Sequence, residues 1–121
     1  MLTLSPGLNS DRVSGMSHEG FPYSEEQIVS CARVLAHALN PDEVWLFGSA
    51  ARGDGDQDSD VDLLVVLADG HGRERPMYDA NLALIRSRIG IPTEVLVITQ
   101  SGKRNPSPIV EDALREGRRL L

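Results

Sequence analysis

Gly48-Ser49 stands ten residues ahead of Asp60-Val61-Asp62, and the second of those aspartates opens the apolar run LLVVL. Two acids separated by one residue at the head of a strand point to the same face, close enough for their oxygens to share an ion. Left alone, the two charges repel. A divalent cation removes that cost, and hard oxygen donors suit magnesium, which takes one or two carboxylates plus phosphate oxygens. Glu94 heads a further apolar run, TEVLVIT. If that strand lies beside the first, three acids on neighbouring strands could hold two metals across an in-line phosphoryl displacement. Gly48-Ser49 supplies the complementary half, since a glycine lets backbone approach a phosphate and the donors of a helix start attract it.

Other readings of the acidic loop fit less well. A calcium loop opening at Asp56 would need glycine at its sixth position and glutamate at its twelfth, where Val61 and Leu67 stand. Starting at Asp54 or Asp58 places Ser59 or Leu63 in the sixth position. Gly102-Lys103 lacks both the earlier glycine and the following Ser or Thr of a phosphate loop, so Lys103 and Arg104 are expected to lie in a solvated loop. Asp54, Asp56 and Asp58 read as loop acids in water, and His37 and His71 as solvent residues. Cys31 has no cysteine partner and reads as a small core residue, in keeping with a reducing cytoplasm.

The elements that must position these residues follow from periodicity. Ser24 and Gln27 form a capping-box pattern, and Ile28, Cys31, Ala32, Leu35, Ala36 and Leu39 then recur at helical spacing until Asn40-Pro41. VWLF over 44–47 predicts a short buried strand, with Trp45 and Phe47 in the core. Gly48-Ser49 begins a helical turn closed by Gly53. VDLLVVL over 61–67 is apolar on both faces apart from Asp62, which predicts a strand covered on both sides. Pro76 starts a helix whose Tyr78, Leu82, Ile85 and Ile89 form the expected core stripe, ended by Gly90. TEVLVIT over 93–99 is a third strand and SGKRNP a loop. Ser107-Pro108 starts a last helix with early acids and late arginines, ended by Gly117. The order αβ(α)βαβα predicts a single small α/β (α+β) domain, a mixed sheet of about three strands flanked by helices.

Composition sets the outer bounds. The chain has 121 residues, 40% hydrophobic, and a net charge of −6. Eight acids against Arg52 alone between residues 42 and 69 argue against general nucleic-acid binding, which requires basic surface. No apolar run approaches the roughly 18 residues of a membrane span, and no export signal precedes the domain. Residues 1–22 mix Ser, Gly, Pro and Asn without periodicity and predict a disordered leader, with the domain at 23–121 and Met16 as an alternative start.

With Gly-Ser, ten residues and Asp-x-Asp in place, the chain resembles the nucleotidyltransferase superfamily related to DNA polymerase beta. Within it the chain is similar to the minimal nucleotidyltransferases, where GSxARG and SDxDLLV are typical; here they read GSAARG and SDVDLLVVL. The tail SPIVEDALREGRRLL resembles that group's EGxxLY ending, with Leu121 in place of the usual Tyr. The third acid is usually Asp, and Glu94 occupies its place.

The resemblance implies transfer of AMP from ATP, an EC 2.7.7 type reaction. Asp60 and Asp62 would hold two magnesium ions, Glu94 the ion beside the attacking hydroxyl, and Gly48 and Ser49 the terminal phosphates. Arg52 would touch a phosphate or cap its own helical turn. Minimal nucleotidyltransferases are often paired with a HEPN-domain protein, and the resemblance implies an antitoxin that AMPylates a tyrosine of that toxin. A non-catalytic module that masks its partner, and transfer to a small molecule such as an aminoglycoside, are the alternatives. Nucleotide preference, acceptor and oligomeric state stay open at this point.

Overall fold

A computed structural model describes residues 21–121; the predicted leader, apart from its last two residues, and the alternative start at Met16 lie outside the described residues. The first helix, α1 (Glu25–Leu39), begins with the capping box read from the sequence. Ser24 Oγ accepts from the Gln27 amide, and Gln27 Oε1 accepts from the Ser24 amide. These bonds satisfy donors that a helix start leaves without partners. Ile28, Cys31, Ala32, Leu35 and Leu39 form its buried face.

The chain then runs through β1 (Glu43–Phe47), the single turn α2 (Gly48–Arg52), β2 (Val61–Leu67), α3 (Pro76–Ser87) and β3 (Thr93–Thr99). Another single turn, α4 (Gln100–Arg104), precedes α5 (Pro108–Glu116) and a two-residue strand, β4 (Arg118–Arg119). The sheet order is β3-β2-β1-β4. β2 runs parallel to β3 and antiparallel to β1, and β4 pairs antiparallel with β1. The protein is a small α+β fold with a mixed four-stranded sheet flanked by helices.

β2 is interior to this sheet and buried along its length except at Asp62, as its two-faced apolar pattern predicts. Its odd positions, Val61, Leu63, Val65 and Leu67, pack with α1 and with Ala80 of α3. Its even positions, Leu64 and Val66, meet Ala113 and Leu114 of α5, with Trp45, Phe47, Leu96 and Ile98 packed around them. Burying each large aliphatic of the first layer contributes about 1.5–3 kcal/mol. The second layer is thinner, and Trp45 and Phe47 are half-buried there rather than fully enclosed.

Four expectations need correction. A fourth strand exists because Gly117 brings the tail against β1: a Cβ at this position would sit 2.6 Å from the Leu46 carbonyl oxygen and 2.5 Å from that of Ala113. Leu120 N–H then donates to Val44 O at 2.8 Å. The loop expected at SGKRNP, 101–106, is helical in its first four residues, which belong to α4, where Thr99 Oγ1 caps the Gly102 amide. Lys103 is no solvated loop residue, for its ammonium donates to both Glu43 oxygens at 2.8 and 3.0 Å and lies over the Trp45 ring. The predicted core stripe of α3 also faces largely outward: Ala80 and Leu84 pack inward, whereas Tyr78 is 54% and Ile85 73% exposed. Only Ile89, just past the helix, joins the core.

Among the described residues, no helix is long and apolar enough to cross a membrane. Cys31 is fully buried, as its reading as a core residue requires.

Candidate active site

The even-numbered face of β2 ends in a polar row. Asp62 is paired in register with Phe47 of β1 on one side and with Glu94 of β3 on the other. Because β2 and β3 are parallel and in register, the two acids project from the same face as neighbours. Burial and the neighbouring Glu94 push the Asp62 carboxyl up from 3.8 to about 6, with a smaller contribution from the charge of Asp60 and partial opposition from Arg52. The Asp62 and Glu94 carboxyls lie within hydrogen-bonding reach of each other. Asp60 lies one residue ahead of the strand and is exposed, within electrostatic reach of Asp62. The sequence expected all three acids on adjacent strands; the structure makes Asp62 and Glu94 the close pair and leaves Asp60 at the margin.

Gly48 closes this site from the β1 side. Its φ is +72°, and a Cβ there would lie 2.2 Å from Asp62 Oδ2 and 3.0 Å from Asp62 Cγ. Only glycine permits both the left-handed backbone and the approach of that carboxylate. Ser49 follows in α2, whose turn closes at Gly53 through a 2.9 Å bond to the Ser49 carbonyl. A Cβ on Gly55 would come within 3.2 Å of Ser49 Oγ, so the acidic loop folds back against the serine hydroxyl.

Arg52 sits in the last turn of α2. Its Nε donates to Asp54 at 3.1 Å and its Nη1 to Glu116 of α5 at 2.9 Å, so the guanidinium ties the turn to the last helix while lowering the field at Asp62. The loop acids have local work that their types alone do not announce. Asp56 Oδ1 accepts from the Asp58 amide at 2.9 Å, and the Asp56 amide donates to Ser59 Oγ at 2.9 Å. These bonds shape the loop that delivers Asp60 to the strand. His71 Nδ1 accepts from the Arg73 amide, a turn contact remote in sequence from the acids.

Phe47, opposite Asp62, and Glu116, which engages Arg52, were not among the sequence candidates. The signal for Phe47 was its place directly before Gly48. Glu116 gave none, because its approach to Arg52 spans 64 residues of sequence.

The donor set suits a hard divalent cation in chemistry. Burial and the neighbouring Glu94 make ionisation of Asp62 costly, and a divalent cation in that position would offset the repulsion between the two carboxylates. Among the described residues no three His, Cys, Asp or Glu side chains are gathered tightly enough to hold an ion as they stand. Completing a three-acid set requires the exposed Asp60 side chain to turn toward the pair.

The family model described as the nucleotidyltransferase domain matches residues 26–120. A solved candidate nucleotidyltransferase is 18% identical over 74% of this chain and 92% of its own, with a TM-score of 0.50, a likeness of fold. Another, from Sulfolobus solfataricus, is 27% identical over 66% of this chain and 70% of its own, with a TM-score of 0.47. A comparison with curated proteins returned no match.

Proposed function

The chain belongs to the nucleotidyltransferase domain family, and on that premise we propose that residues 23–121 form a cytoplasmic, magnesium-dependent adenylyltransferase. The observation that carries this reading is the register pairing of Asp62 with Glu94 beside the positive-φ turn at Gly48. Asp60, Asp62 and Glu94 are the residues that would hold magnesium. When bound, magnesium supplies compensation for charge on the attacking and leaving oxygens of the α-phosphate. Gly48 and Ser49 accept the terminal phosphates of ATP, the glycine by leaving the backbone uncovered and the serine by its hydroxyl. Arg52 adds a cation at the C-terminal end of the same single turn, held in place by Asp54 and Glu116. An acceptor hydroxyl then forms a bond to the α-phosphorus, the bond to the β-phosphate oxygen breaks, and pyrophosphate leaves while the hydroxyl proton is released.

The acceptor in this proposal is a tyrosine of a HEPN-domain toxin, following the resemblance of GSAARG and SDVDLLVVL to the minimal nucleotidyltransferases. The test incubates the protein with labelled ATP, magnesium and the product of its neighbouring gene, which the proposal expects to be a HEPN-domain toxin. Label on a toxin tyrosine, lost in Asp60→Asn/Asp62→Asn, supports the reading. Undiminished neutralisation of the toxin by that double variant, with no label transferred, replaces it with masking.

A further inference from the structure

The outward face of α3 presents an apolar stripe that nothing among the described residues covers. Tyr78 and Ile85 are 54% and 73% exposed, Met77 is 43% exposed, and Leu82 is partly exposed beside them. These positions recur at i, i+4 and i+7, the pattern of a helix face that packs on another helix. The stripe is a ridge between two hollows. One, of about 410 Å³, runs along Leu84, Ile85, Arg88, Ile91 and Pro92; the other, of about 330 Å³, runs along Ala38, Leu82, Ala83 and Arg86.

Charge around the ridge is opposite in sign to the rest of the molecule. Residues 70–92 carry four arginines against Glu74 and Asp79, in a chain of net charge −6. Arg73 is engaged by Asp79 at 3.2 Å and by the Ala38 carbonyl. Arg75 lies over the Tyr78 ring at 4.8 Å. Among the described residues, Arg75, Arg86 and Arg88 have no acid within ion-pair distance.

A second copy of the chain is a poor occupant for this face. Antiparallel pairing of two α3 helices that brings Tyr78 onto Ile85 also brings Arg75 onto Arg88, like charge on like charge. An acidic partner meets the opposite situation, because its apolar side covers the ridge while its carboxylates reach the three arginines. We propose that the outer face of α3 docks an acidic amphipathic helix of a partner protein, and this inference stands independently of nucleotidyl transfer.

The test uses the full chain and two labelled peptides of about 18 residues, each with the same leucine stripe, one flanked by glutamates and its twin by lysines. Fluorescence anisotropy should show the glutamate peptide binding at least about tenfold more tightly than its twin, with affinity falling as salt rises. Tyr78→Ser/Ile85→Ser should abolish binding, and Arg86→Glu/Arg88→Glu should invert the peptide preference. All four side chains are exposed or outward, so the variants should keep the wild-type circular dichroism. Equal binding of both peptides, binding that survives Tyr78→Ser/Ile85→Ser, or no binding of the glutamate peptide would overturn the proposal. So would a concentration-dependent dimer in sedimentation that Ile85→Ser dissolves, since that outcome assigns the face to a second copy.

Discussion

Replacing Gly48 by alanine tests the geometry of the site through stability, without any ligand. Two costs add at this position. An alanine held at φ +72° pays about 1–2 kcal/mol for the left-handed conformation. Its Cβ would also stand 2.2 Å from Asp62 Oδ2, so the carboxylate must leave its rotamer, for about a further 0.5–1.5 kcal/mol. The expected loss is therefore about 1.5–3.5 kcal/mol, measured by urea unfolding with a chelator present. The two parts separate in a double-mutant cycle, because Asp62→Ala removes the atoms that the added Cβ would strike and leaves the backbone strain alone. Gly48→Ala should cost about 1–2 kcal/mol in the Asp62→Ala background. An equal loss in both backgrounds, or a loss below about 0.5 kcal/mol in the wild type, would refute the claim that Gly48 is required by the approach of Asp62.

Other perturbations probe the acids and the sheet. Asp62 holds a proton in the native state that the unfolded chain has already released between pH 3.8 and about 6, so its contribution to stability falls as pH rises through that window. At pH 7 without divalent ions Asp62→Asn should gain about 1–2 kcal/mol over wild type, with little gain at pH 3.5, as read by denaturant titration at both values. Glu43 behaves oppositely: burial favours its proton, but hydrogen bonds from Lys103, Trp45 and Gln100 outweigh this and hold the carboxyl down from 4.5 to about 2. Its stabilisation is present above pH 4.5 and lost as pH falls toward 2, and Lys103→Met should remove about 2 kcal/mol of it at pH 7 in thermal unfolding. Gly117→Ala places a Cβ against two carbonyl oxygens and should cost about 2 kcal/mol, with faster amide exchange at Leu120 as β4 loosens from β1.

Much of the fold was legible because local signals and burial agreed. The capping box at Ser24, the two-sided apolarity of β2 and the glycine closing α2 each had a physical cause confined to a few residues. The Asp62–Glu94 pair was legible only conditionally, since the sequence placed each acid at a strand head but could not say that the strands were neighbours. Periodicity failed at α3 for a different reason. It finds an apolar stripe but not the side that packs, and here the small Ala80 sets the buried face against α1 and the sheet, leaving Tyr78 and Ile85 outside. β4 carried no signal at all, because two arginines on an edge strand have no apolar alternation to show. The role of Lys103 depended on α4 carrying it back over Trp45 to Glu43, a contact across 60 residues.

In the proposed function Asp62 and Glu94, set beside Gly48, serve nucleotidyl transfer. Single-turnover incubation of the wild type, Asp62→Asn and Glu94→Gln with ATP labelled at the α-phosphate, magnesium and the proposed HEPN-domain acceptor tests this directly, following both labelled protein and released pyrophosphate. Stoichiometric label and pyrophosphate are expected with the wild type, and a loss of about a thousandfold or more in rate with either variant, both still folded. Transfer at wild-type rate by Asp62→Asn, or no pyrophosphate release by the wild type, would contradict it.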